Sequence, residues 1–331
     1  MIRYAILAAG ALALAVPTDA DACGGFFPRR AMKTVPSLQV EQVLVIHDPV
    51  KEEEHFIRQL VFRDAAEPFG FVVPTPSQPT VAKVEGTPFT TLTKRFPPEK
   101  RRTGLGAVGG GARGGGGGGG DEKVTVLSQQ RIGSFTAFTL AATDAGALQR
   151  WLDENDFGTT PESNAWLDRY VRLGFFYSAF RYEPAKKKGD LASETVRITF
   201  ATPAPFYPYA EPRHVPAQAP PPRVLVVWVA TPERIVPVSS HGAPLGAHLE
   251  QPWLESWHFK PTTPTEVGEL VAGIGPLLPR SEHLVVQAFE DQKVYRNGWG
   301  DVVMVPEDAS ALDPARRARI TKLGAALEAD R

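Results

Sequence analysis

The sequence predicts an α+β fold: mainly antiparallel β-sheet or a sandwich, with a central helical pair and a C-terminal helix. Three observations carry this. Segments of strand character outnumber helical ones; the helical patterns sit only in the middle and at the end; and several strands are joined by short charged or glycine-containing turns. The bulk numbers agree with a globular chain. Of 331 residues, 43% are hydrophobic and 22% charged, enough apolar material for a core. Length alone suggests two domains, or one large domain with insertions.

The elements follow in order. Residues 1–22 read as an export signal: Arg3 supplies the positive start, residues 5–16 are apolar, Pro17 breaks the run, and Ala20-Asp21-Ala22 offers the small-x-small cleavage pattern. Processing would fall between Ala22 and Cys23. The apolar run is too short for a comfortable membrane span, and no transmembrane helix is expected in the mature chain. Residues 23–96 form a β-rich part. LQVEQVLVIHD (38–48) and HFIRQLVFR (55–63) alternate as strands about the charged turn PVKEEE, which makes a hairpin. FGFVVPTPSQP (69–79) reads as a buried strand that its prolines end or confine to an edge.

Residues 97–123 are a Gly-rich linker or loop. They hold a formal GxGxxG at Gly104, Gly106 and Gly109, but no strand precedes it and seven consecutive glycines follow, so the match is chance. Residues 124–306 form an α+β part. Two strands, 124–130 and 134–142, flank Arg131-Ile132-Gly133. A helix capped at Thr143 or Asp144 presents Leu148, Trp151 and Leu152 on one stripe, and a second covers 162–172. Strands return at 174–183 and 195–202, with AKKKGD between them as a hairpin turn. The Pro-rich stretch 203–222 reads as a stiff loop over the sheet, its aromatics alternatively a docking ligand. RVLVVWVA (223–230) is a central strand buried on both faces, and 283–291 and 301–306 are further strands. Residues 307–331 form the C-terminal helix, with Ile320, Leu323 and Leu327 on one stripe opposite a basic cluster at Arg316, Arg317, Arg319 and Lys322; it caps the core or, alternatively, binds a partner.

The composition excludes some functions. Lys plus Arg is 36 and Asp plus Glu is 37, so net charge gives no reason to expect nucleic acid as a partner. No GxSxG, CxxC or HExxH occurs, and no cofactor is expected. His241, His248 and His258, near Glu250 and Glu255, are the candidate metal ligands, at spacings that no known motif shares. His47, Asp48 and His55 flank a turn and read as surface residues. Cys23 is the only cysteine and cannot form an internal disulfide. Three readings stay open for it. It is a lipid anchor, though Asp19 and Asp21 are costly beside a bilayer. It is an N-terminal nucleophile with its own amine as base, which makes the protein a hydrolase. Or, the preferred reading, it is a structural residue or relic at a plain cleavage site.

CGGFF (23–27), VPSLQVEQVLVIHD (35–48) and FGFVVPTPSQPTV (69–81) resemble the start of a bacterial family known as domain of unknown function 2330. The resemblance continues through GSFTAFTLAATDAGALQRWLDENDF (133–157), LDRYVRLGFFYSAFRYEP (167–184) and VLVVWVATPERIVPV (224–238). It implies an exported bacterial protein and supplies no catalytic residues. Family members often carry a second cysteine after the phenylalanines; here that position is Pro28, which weakens any disulfide or metal role. The expectation is therefore an exported envelope or secreted protein, in the periplasm, on the outer membrane or outside the cell. It acts by binding or scaffolding, with envelope proteins among its possible partners.

Overall fold

The computed structural model describes residues 25–29, 32, 36–98, 124–183, 191–213, 223–239, 256–270, 273–292 and 300–329. Chain order begins with β1 (Gly25–Pro28), β2 (Ser37–Asp48), β3 (Glu53–Arg63), β4 (Phe69–Thr75), β5 (Thr80–Lys83) and α1 (Phe89–Arg95). The middle contributes β6 (Val124–Ile132), β7 (Phe135–Ala142), α2 (Ala145–Glu154), α3 (Pro161–Arg172), β8 (Phe176–Tyr182), β9 (Leu191–Ala192), β10 (Val196–Ala201) and β11 (Phe206–Tyr207). The last third adds β12 (Val224–Thr231), β13 (Ile235–Ser239), β14 (Ser256–Thr262), α4 (Pro264–Leu270), β15 (Leu284–Asp291), β16 (Val302–Pro306) and α5 (Pro314–Ala329).

The fold is α+β and mostly sheet. An eight-stranded sheet runs β14-β15-β12-β2-β3-β10-β5, with β9 beside β3. A five-stranded sheet runs β1-β4-β8-β7-β6, and a three-stranded one β11-β16-β13. Pairing is antiparallel except between β2 and β12. Alternation along the large sheet splits its side chains between two cores. Val43 and Val45 of β2, Phe56 and Leu60 of β3 and Val227 of β12 join the larger core, with the other two sheets and α2, α3 and α5. Leu44, Ile46, Ile57 and Trp228 point the other way, toward α1 and α4. Strands from both sides of residues 97–123 interleave in the two larger sheets.

Local chemistry sets the helix starts. Asp144 accepts from Ala147 N at the head of α2. Thr160 and Ser163 form a reciprocal capping box at α3, with Pro161 in the first turn. Two glycines are fixed by close approach. A Cβ on Gly25 would lie 2.8 Å from the Trp166 ring, and one on Gly70 would lie 2.0 Å from Phe157. In CGGFF, Gly25 thus makes room for Trp166, while Phe26 and Phe27 are buried in the core.

Several expectations change. Pro74 lies inside β4, which is not an edge strand. It falls beyond the reach of the four-residue β1 and is in register with Tyr177 of β8. Strands β8 and β10 belong to different sheets, because β8 already has β4 and β7 on its two sides; AKKKGD does not join a hairpin. Residues 204–211 are not a surface loop: Phe206, Tyr207 and Tyr209 are fully buried, which removes them as docking ligands. His47, Asp48 and His55 are buried rather than superficial. Among the described residues no helix is long and apolar enough to cross a membrane.

Candidate functional site: a buried polar network

The inward face of the large sheet carries polar side chains where alternation calls for apolar ones. Glu41 shares the phase of Val43 and Val45, and Arg58 lies between Phe56 and Leu60. Both are 1% exposed. Arg58 Nε lies 2.9 Å from Glu41 Oε1, and its guanidinium sits 5.1 Å from the centre of the Phe71 ring. Asp291 ends β15, and Asp301 precedes β16; neither is exposed.

These groups converge on one segment, residues 202–211, which contains β11 of the three-stranded sheet. His47 Nε2 donates to the Thr202 carbonyl at 3.0 Å. Glu54 Oε2 accepts from Phe206 N at 2.7 Å. Tyr207 OH donates to Glu41 at 3.1 Å, and Tyr209 OH to Asp291 at 2.7 Å. Asp301 accepts from Ala210 N at 3.1 Å and from Tyr170 OH at 3.0 Å, with Arg169 Nη1 3.4 Å away. Trp166 Nε1 donates to the Ala210 carbonyl, and Glu211 pairs with Arg223 at 2.6 Å. The segment's three prolines leave few backbone donors, and its ladder is the two-residue pairing of β11 with β16, so side chains bind much of the rest. Helix α5 closes the same region: Arg316 Nε donates to the Pro203 carbonyl, and Arg319 grips Glu52, whose φ of 51° lies in the left-handed region.

Burial sets the electrostatics. It pushes the Glu54 carboxyl well above its ordinary range, the Phe206 amide only partly opposing it. Asp301 is raised by burial, with Arg169 pulling it back. Tyr170 is pushed far up by burial and by the Asp301 charge. Burial lowers His47 to about 4, so it is neutral at pH 7 and its Nε2–H is the donor. Burial also lowers His55, which bonds Thr199 Oγ1. Glu54 Oε1 has no hydrogen-bond partner among the described residues. Perturbed ionisation of this kind is common at reactive sites, but structural networks produce it too. Each acid of the network has a partner in the protein's own amides, hydroxyls or guanidinium groups, Glu54 through its other oxygen. Among the described residues no three His, Cys, Asp or Glu side chains are grouped to hold a metal ion.

Of the residues singled out from the sequence, Ala22, Cys23, His241 and His248 lie outside the described residues, as do Glu250, Glu255 and the glycines of 99–123. His258 is in β14, in register with Ala288 of β15. The network itself was not anticipated. Its one legible signal was Arg58, a charge in the apolar phase of an alternating strand.

Fold and network together define a sheet-rich α+β protein with a buried polar network. The chain belongs to the family described as "uncharacterized protein conserved in bacteria", domain of unknown function 2330, which matches residues 17–277. No curated protein matches it. Among solved structures, the crystal structure of baculovirus P35 aligns over 82% of this chain and 97% of that one, at 7% identity and a TM-score of 0.39. A likeness that weak carries no argument about fold or function.

Proposed function

We propose that the protein is exported, cut after Ala22, and acts in the bacterial envelope or outside the cell by binding or scaffolding rather than catalysis. The signal-like residues 1–22 support export. The observation that carries the non-catalytic reading is where the perturbed groups are spent. Glu54, Asp301 and His47, each at most 1% exposed, fasten residues 202–211 through hydrogen bonds to that segment's own backbone. A general acid or base must come within hydrogen-bond reach of a substrate atom.

Intact mass of the protein, taken separately from soluble and membrane fractions of the producing cells, tests the export reading. A soluble species matching residues 23–331 is expected. An uncut cytoplasmic chain overturns it, and a membrane species heavier by diacylglycerol and an acyl group makes Cys23 an anchor. Any hydrolytic activity found in the purified protein and lost in Cys23→Ala overturns the non-catalytic reading.

A further inference from the structure

Open sheets end in edges, and an edge strand presents unpaired amides and carbonyls to any passing strand. Among the described residues the three sheets have six edges, and five are blunted by short length, lysine or proline. β1 has four residues and ends in Pro28; β5 has four and ends in Lys83; β14 carries Lys260 and Pro261. β11 has two residues between Pro205 and Pro208, and β13 contains Pro237. The sixth, β6, has nine residues, no proline, and no charge before Arg131. Residues 125–129 are exposed one after another, so both faces of the strand overhang the core. Val126 is 44% and Leu127 38% exposed, two of the three exposed large apolar residues among those described. A bulge between Val126 and Ser128 leaves Leu127 without a partner residue in β7.

The geometry points to β6 as a self-pairing edge, whose occupant is β6 of a second copy, antiparallel about a two-fold axis between Val126 and Leu127. That register places Val126 of each copy against Leu127 of the other, Thr125 against Ser128, and Val124 against Gln129. Apolar meets apolar and hydroxyl meets hydroxyl, pairings that favour antiparallel strands. No like charges meet, because residues 124–130 are uncharged; Arg131 is already paired with Glu183. The result joins two five-stranded sheets into one and closes after two copies, as an isologous contact must. This surface is independent of the export reading.

Light scattering on the purified protein tests it. The expected result is twice the chain mass, falling to one chain mass in Val126→Lys/Leu127→Lys. A wild-type protein with the mass of one chain overturns the inference, as does a dimer that survives the double substitution. Should that variant misfold, Thr125→Cys and Ser128→Cys chains, each also carrying Cys23→Ser, are mixed and oxidised. A disulfide between the two chain types is expected, and its absence overturns the register.

Discussion

The most informative residues are the charges that face the wrong way. Arg58 in a Phe-x-Arg-x-Leu-x-Phe run was legible as an anomaly, because period-two alternation leaves a polar residue on a buried face only where a partner waits. Its partner was not legible: Glu41 lies on the neighbouring strand, and Tyr207 arrives from a distant segment. Breaking a buried pair strands the other charge, so Arg58→Ala is expected to cost about 3–5 kcal/mol in urea unfolding. Replacing both charges by apolar residues, Glu41→Leu with Arg58→Met, is expected to recover most of that loss. Equal losses in the single and double variants would show that the pair is not the source. Gly70 makes a second test at this scale. A methyl group there collides with Phe157, so Gly70→Ala is expected to destabilise by about 1–3 kcal/mol, measured the same way.

At the scale of elements, patterning read the local structures and misread those that depend on distant partners. The β2–β3 hairpin, the β6–β7 hairpin and the cap of α2 are set within a few residues and were legible. Segment 202–211 was not. Prolines and polar-tipped aromatics are the composition of an exposed loop, and only Glu41, Glu54, Asp291 and Asp301, brought from β2, β3, β15 and the approach to β16, make its burial tolerable. Helix α5 follows the same logic. Ile320 and Leu327 dock as their spacing predicts, while Arg316 bonds the Pro203 carbonyl and Arg319 bonds Glu52 of the β2–β3 turn. Arg316→Ala is expected to speed protease cleavage within 202–211 with little effect on the β6–β7 hairpin. Cleavage rates at the two places check it.

For the whole molecule, the family match stops at residue 277, yet the fold does not. β15 lies between β12 and β14 inside the large sheet, and β16 between β11 and β13. A chain ending at 277 loses both strands and the acids Asp291 and Asp301. It is expected to be unfolded or insoluble, which circular dichroism and solubility report. The central claim is that the buried acids are fasteners of one fold, and it fixes how stability responds to pH. Glu54 and Asp301 are raised by burial, so their contribution is complete at low pH and is lost as pH rises above their unfolded values toward their folded ones. His47 runs oppositely: its lowered value makes stability fall as pH drops from 6.5 toward about 4. His47 and His55 titrate alike in wild type and in a Glu54 variant, so the difference between the two isolates the acid. The most direct measurement is therefore the difference in unfolding free energy between wild type and Glu54→Gln, whose amide oxygen still accepts from Phe206 N, followed upward from the ordinary carboxyl value of 4.5. A wild-type stability that falls relative to the variant as pH rises is the predicted result. A difference that stays constant, or that moves in favour of the wild type with rising pH, would contradict it.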